Sequence, residues 1–166
     1  MFNMLVSQSQ IGKYPILRKY CLFYEDWRRA ISEYFCVPIK ESKKLITPLF
    51  YGGSPSSDIP WLWQLKREVE CATEYLLNLE ENSNMDGMFE DRNNPKFSKL
   101  AYLMASEEDR VLTSIVEKIS QDTGLQPICL IFDGAIISNN EETREALASS
   151  VAECELAFNV KISFNW

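Results

Sequence analysis

Residues 128–138 read Ile-Cys-Leu-Ile-Phe-Asp-Gly-Ala-Ile-Ile-Ser, and this stretch decides the predicted fold. Two apolar, β-prone arms flank the pair Asp133-Gly134. Such a pair is typical of a type I′ hairpin turn, because both central residues of that turn need a positive φ. The stretch therefore predicts a β-hairpin with Asp133 at its tip, and an ordinary turn without chemistry gives the same pattern.

A helix and a further strand are predicted after the hairpin. Residues 141–157 place apolar side chains at helical spacing, and residues 158–164 alternate apolar with polar side chains. If Phe2–Val6 forms a first strand, the order becomes strand, helices, hairpin, helix, strand. This is the order of a ferredoxin-like split βαβ sheet. We therefore expect an α+β fold.

The expected domain organisation follows from the same order of elements. All 166 residues are assigned to a single domain, and residues 26–96 are assigned to a helical insertion after the first strand. The clearest helix of that insertion has an apolar stripe that steps by three and four residues, with Asp58 as its expected N-cap and Pro60 in its first turn. The stripe comprises Leu62, Leu65, Val69, Ala72, Leu76 and Leu79.

A third helix, expected from about Ser98 to Ser120, has an interrupted apolar stripe. The stripe requires an apolar residue between Met104 and Val111, but Glu107 and Glu108 stand at that place. A carboxylate on a core-facing stripe needs a partner or a raised pKa. The alternative interpretation is that the helix breaks near Ser106, which would cap a new helix.

Composition excludes several kinds of chemistry. The chain has no histidine, so it contains neither a Ser-His-Asp or Cys-His pair nor a His-ligated metal. Its five cysteines include no CxxC pair, which makes a zinc site unexpected. We expect an intracellular, non-secreted protein, because no signal peptide or membrane-spanning apolar run is evident.

Charge divides the chain unevenly. Residues 1–67 carry ten Lys or Arg and five Asp or Glu, a net charge of +5, whereas residues 68–166 have a net charge of −12. A polyanion is expected to be attracted to the first part and repelled by most of the second. The simpler interpretation is that both parts are ordinary solvated surfaces.

Two short motifs carry the functional hypothesis. Lys43 and Tyr51-Gly52 are eight residues apart, which on a continuous α-helix places the lysine and the tyrosine roughly on one face. The lysine is suited to phosphate, the tyrosine to a base, and the glycine to close backbone approach. The second motif is Cys129-Leu-Ile-Phe-Asp133-Gly134.

These motifs resemble motifs B and C of family A DNA polymerases, including divergent transposon- or virus-type members, and of the related single-subunit RNA polymerases. The resemblance extends over most of the chain and implies a polymerase palm with a fingers-like insertion. It also implies template-directed nucleotidyl transfer in DNA replication, with two Mg²⁺ or Mn²⁺ ions as cofactors. The implied partners are a primer-template nucleic acid and a nucleoside triphosphate.

The resemblance assigns roles by position. Asp133 is the implied metal ligand, with Glu107 or Glu108 as a further acid near the metal. Lys43 and the adjacent Lys40 are expected to contact the triphosphate, and Tyr51 and Gly52 to line the nucleotide site. Asp133, Lys43 and Tyr51 are thus the expected catalytic set.

The sequence departs from the family pattern at its beginning. Motif A supplies a second metal-binding aspartate on the first strand, and Asn3 stands closest to that place. A fragment or degenerate relative of the enzyme, in which a protein partner supplies missing elements, fits this departure. So does a non-catalytic binding or scaffold module. A ferredoxin-like RNA-binding module is the third alternative, although its basic aromatic strand signature is missing.

Overall fold

The computed structural model describes residues 10, 12–85, 87–127, 129–131, 134–158 and 162. These residues are mostly helical. In chain order the elements are α1 (Pro15–Leu22), α2 (Tyr24–Tyr34), α3 (Ile39–Ile46), a 3-10 helix (Thr47–Tyr51), α4 (Pro60–Leu77), a second 3-10 helix (Glu80–Met85), α5 (Pro95–Thr123), β1 (Cys129–Ile131), β2 (Gly134–Ile136) and α6 (Glu141–Phe158).

The expected α+β, ferredoxin-like palm is wrong. Within the described ranges the only sheet is the two-stranded pair β1–β2, and helices form the rest of the regular structure. Phe158, predicted to open a strand, is the last residue of α6, and Ile162 is not in a strand. A run of Ala, Leu and Glu before Phe158 favours helix strongly enough to extend it over the start of the alternating segment. The predicted first strand Phe2–Val6 lies outside the described residues.

The predicted pairing of two strands in this stretch is confirmed. Its antiparallel strands pair Cys129 with Ile136 and Ile131 with Gly134. Gly134 therefore belongs to a strand rather than to the turn, one residue away from the predicted position. Phe132 and Asp133 follow β1 in the sequence and lie outside the described residues.

The chain divides into two compact units, Phe2–Leu103 and Met104–Trp166. We call them the N-terminal unit and the C-terminal unit. The predicted bounds of a helical insertion, residues 26–96, stay a prediction. No helix in the described part of either unit is long and apolar enough to cross a membrane.

The core of the N-terminal unit is built around α4, where the predicted apolar stripe is confirmed. Leu62 and Leu76 are 1% exposed, and the three stripe positions between them are completely buried. Pro60 is the first residue of the helix, as expected, because its missing N–H would have no helical partner there. The N-cap is Ile59 rather than Asp58, and no side chain caps this end.

The helix α5 is continuous over 29 residues, so the expected break near Ser106 is wrong. In its C-terminal part, Val111, Ile115 and Ile119 are buried, as the stripe predicted. Gly124 ends the helix with φ +69°, and its backbone N–H donates to the carbonyl of Ser120 at 2.9 Å. The interruption of the stripe therefore lies inside an intact helix.

Candidate functional site

A basic helix face is the first feature of the candidate site. Lys40, Lys43 and Lys44 are exposed on α3 at positions i, i+3 and i+4, which lie on one side of a helix. Lys44 forms an ion pair with Glu41, with Nζ and Oε1 2.8 Å apart. Within the described part of the chain, Lys40 and Lys43 make no ion pair. We call these three lysines the α3 basic face.

The opposite side of α3 holds the helix in place. Ser42 is completely buried, and its hydroxyl donates to the carbonyl of Ile39 at 2.6 Å. Ile46, one turn later, is 1% exposed. The lysines thus project from a helix whose other face belongs to the core of the N-terminal unit, which fixes the direction of the positive charges.

Lys43 and Tyr51 do not belong to one continuous α-helix. Lys43 lies in α3, whereas Tyr51 ends the 3-10 helix that begins at Thr47. A 3-10 helix has 3.0 residues per turn instead of 3.6, so a spacing of eight residues no longer places the two side chains on one face. Tyr51 is 49% exposed. The predicted shared face is therefore wrong.

Gly52 follows the 3-10 helix with φ +84°. A Cβ atom at this position would lie 2.7 Å from the ring of Phe97 and 2.8 Å from the side-chain nitrogen of Asn94. The glycine is thus required for a left-handed turn and for close packing against Phe97. This packing explains the residue without a nucleotide.

The predicted acidic residues of the C-terminal unit have different surroundings. Glu107 is 22% exposed and accepts a hydrogen bond from Arg110 at 2.6 Å. The guanidinium of Arg110 also lies 5.0 Å from the centre of the Phe158 ring. The stripe carboxylate is therefore neutralised by the next turn of its own helix. Glu108 is exposed, and Asp133 lies outside the described residues.

The described residues include no group of three or more Cys, Asp or Glu side chains arranged to hold a metal ion. The proposed ligands Glu107 and Glu108 therefore have no such cluster around them in the described ranges. Mg²⁺ chemistry through Asp133 stays a prediction.

Sequence reasoning missed Glu68, a buried carboxylate on α4. Its Oε2 accepts hydrogen bonds from the backbone N–H groups of Ile16 and Leu17, each at 2.8 Å, and Gln64 donates to its Oε1 at 3.1 Å. These N–H groups belong to the first turn of α1, whose own N-cap residue Tyr14 provides no side-chain cap. A carboxylate at a helix N-terminus is favoured by both the free N–H groups and the helix dipole.

A signal for Glu68 exists in the sequence. It lies three residues after Leu65 and four before Ala72, so it occupies the spacing of the buried stripe. A charged residue at such a position needs a partner. The sequence does not show that this partner is the backbone of a helix about fifty residues earlier in the chain.

Four aromatic side chains form a half-buried cluster in the N-terminal unit. Trp27 and Trp61 meet edge to face, with ring centres 4.6 Å apart, and Tyr20 lies 5.3 Å from Phe50 and 6.4 Å from Trp27. Burial raises the pKa of Tyr20 above its ordinary value. The cluster joins α1, α2, the first 3-10 helix and α4, so Trp61 packs against a residue of another helix.

No protein-family model, no curated protein and no solved structure matches this chain.

Proposed function

We propose that this chain is a non-catalytic binding module whose α3 basic face contacts the phosphate backbone of a nucleic acid. The observation that carries the proposal is the pair Lys40 and Lys43, which are exposed one turn apart and make no ion pair in the described part of the chain. Unpaired lysines release counterions from a phosphate backbone when they bind it. The helix that carries the two lysines is anchored in the core, which limits the conformational entropy lost on binding.

The charge of the two units supports a local rather than a general interaction. Residues 2–103 carry thirteen Lys or Arg and thirteen Asp or Glu, whereas residues 104–166 carry four and eleven. A polyanion is therefore attracted to a basic patch on a neutral unit and repelled by the acidic unit. We expect weak, salt-dependent binding, with Kd on the order of 10⁻⁴ to 10⁻⁶ M at physiological salt.

The test is fluorescence anisotropy with labelled single-stranded DNA, duplex DNA and RNA over a series of NaCl concentrations. The double variant Lys40→Gln/Lys43→Gln removes two cations. For a single strand, we expect the slope of log K against log salt to become less negative by about 1.4, or about 0.7 for each lysine. An unchanged slope, or no binding by the wild type, would contradict the proposal.

Two single variants on the same helix provide matched controls. Lys44→Gln removes a lysine that Glu41 already neutralises, so its effect should be smaller than that of Lys43→Gln. Glu41→Gln frees Lys44 and removes a negative charge, so binding should tighten. A general loss of folding would not give effects of opposite sign.

Template-directed nucleotidyl transfer with Mg²⁺ or Mn²⁺ is the second proposal. It is supported by the motif residues and by the place of Asp133 in the sequence, between the paired strands β1 and β2. Primer extension by the wild type, lost in Asp133→Ala, is the expected result. Equal extension by both proteins, or none by either, would overturn it.

We also propose an intracellular location. Cys21, Cys36, Cys71 and Cys154 form no disulfide in the described part of the chain, which fits a reducing compartment. If the protein is in a reducing cytosol, exposed Cys36 and Cys71 should react with a thiol reagent in cells, as they do in the purified protein. Labelling of cells before and after permeabilisation measures this reaction.

A further inference from the structure

A small cavity lies inside the C-terminal unit. The space open to the centre of a water-sized sphere is about 10 Å³. Its lining is mostly apolar and includes Val116, Ile119, Leu125, Pro127 and Ile137. Three polar side chains, Gln126, Ser138 and Thr143, complete it. The polar side chains come from three segments: the loop before β1, the residues after β2 and the first turn of α6.

Thr143 is the unusual member of this lining. The residue is 1% exposed, and its hydroxyl has no hydrogen-bond partner in the described part of the chain. Three other buried or half-buried hydroxyls of the helices donate to the carbonyl four residues earlier. Thr73, Thr123 and Ser150 each do so at 2.7 Å.

The position of Thr143 explains the difference. It is the third residue of α6, so the residue four positions earlier, Asn139, precedes the helix. Its backbone N–H is already satisfied, because it donates to Oδ1 of the N-cap residue Asn140 at 2.8 Å. The hydroxyl is therefore left facing the cavity with both its donor and its acceptor capacity unused.

We infer that this cavity is a binding site for one internal water molecule, held by Thr143 Oγ1. Its volume is close to the roughly 10–15 Å³ that a single water needs. Ser138 and Gln126 provide further polar groups on the same wall, and an internal water commonly makes two to four hydrogen bonds. An anion is disfavoured by Glu141, Glu142 and Glu145 around the same helix turn.

The bound water joins the end of β2 and the loop before β1 to the N-terminus of α6. The water is thus a structural ligand of the C-terminal unit. Its removal should loosen the packing of the hairpin end against the first turn of α6. This inference is independent of the proposed binding of nucleic acid.

The sign of a stability change tests the site. Thr143→Val keeps the shape of the side chain and removes the hydroxyl. If the water is bound, its anchor is lost, and the folding equilibrium constant of the full chain should fall roughly tenfold in urea denaturation. If the hydroxyl has no ligand, the same variant should be as stable as the wild type or more stable, because an unsatisfied buried group is removed. That result would overturn the inference.

Two further measurements keep the test decisive. Thr143→Ser retains the hydroxyl and should retain the long-lived water, detected as water-to-amide cross-relaxation at residue 143, whereas Thr143→Val should lose this signal. The matched control is Thr73→Val, because Thr73 is equally buried and its hydroxyl is already bonded to Val69. Absence of the water signal in the wild type, or its persistence in Thr143→Val, would also overturn the inference.

Discussion

The two units differ in how deeply their described apolar residues are buried. In the N-terminal unit, large side chains such as Leu17, Leu49 and Leu65 are completely buried. In the C-terminal unit, the described core residues keep some exposure, for example 7% for Ile115 and 6% for Val151. Complete burial of large side chains is therefore a property of the N-terminal unit among the described residues.

The units also differ in charge, and the two differences have related consequences. Residues 2–103 are neutral, whereas residues 104–166 have a net charge of −7. A neutral unit loses stability mainly when its packing is disturbed, because no excess charge opposes the compact state. An acidic unit with shallower burial is expected to respond more to salt and to changes of charge. The comparison thus predicts different sensitivities for the two regions.

The largest effect is expected from truncation of the deep core. Leu65→Ala should lower the free energy of unfolding by about 3–5 kcal/mol, since it leaves a cavity where the side chain was fully enclosed. Ile115→Ala, at a position with 7% exposure, should cost about 2–3 kcal/mol. Urea denaturation followed by circular dichroism measures both changes. An equal or larger cost for Ile115→Ala would remove the proposed distinction between the units.

The next effect concerns the buried carboxylate of the N-terminal unit. Glu68→Leu leaves the N–H groups of Ile16 and Leu17 without their acceptor, which should cost about 1–3 kcal/mol. Glu74→Leu, on the same helix, breaks only an exposed ion pair with Lys96 and should cost less than about 1 kcal/mol. Hydrogen exchange at α1 amides provides a second measurement, because only Glu68→Leu should increase exchange there. Equal effects of the two variants would mean that the carboxylate does not cap α1.

The sequence predicts those elements whose pattern is long and locally consistent. The stripe of α4 extends over five turns, and each of its positions in the helix is buried as expected. The predicted strand over residues 158–164 was shorter and followed a segment of strong helix formers, so the helix continued to Phe158. At Phe158 the helix preference of the preceding residues outweighs the alternating pattern, so this residue does not begin the strand that a ferredoxin-like sheet requires.

The candidate site was predictable only in part. Exposure of Lys40 and Lys43 follows from their place opposite the apolar side of a short helix. The relation between Lys43 and Tyr51 was not predictable from a spacing, because a 3-10 helix begins at Thr47, directly after α3, and changes the number of residues per turn. The partner of Glu107 could have been predicted from the sequence, because Arg110 lies three residues later on the same helix. The partner of Glu68 was not, because it is a contact between distant parts of the chain.

Salt should change the local stability of the two units by different amounts, and this effect is smaller than those of the core and carboxylate variants. Raising NaCl from 20 mM to 500 mM shortens the Debye length from roughly 20 Å to about 4 Å, which screens repulsion among the acidic side chains. We expect amides of α6 to become more protected from hydrogen exchange, by an amount of free energy up to about 1 kcal/mol, while amides of α4 change less. Equal changes in both helices would show that the charge difference has no local consequence.

The smallest effect is expected on a buried thiol. Burial raises the pKa of Cys154, which is 6% exposed, and the neighbouring carboxylate of Glu153 raises it further. Cys71, on the exposed side of α4, has no such enclosure. At pH 8, iodoacetamide should therefore modify Cys154 at least about tenfold more slowly than Cys71, as followed by mass spectrometry of the digested protein.

The raised pKa of Cys154 also predicts how the free energy of unfolding changes with pH. A thiol whose pKa is raised by folding ionises first in the unfolded chain, so its contribution to stability is complete below the ordinary thiol pKa and is lost as the pH rises through and above it. Cys154→Ala removes this dependence. If the unfolding free energy of Cys154→Ala and of the wild type falls equally between pH 8 and pH 10, the alkaline loss does not come from this thiol.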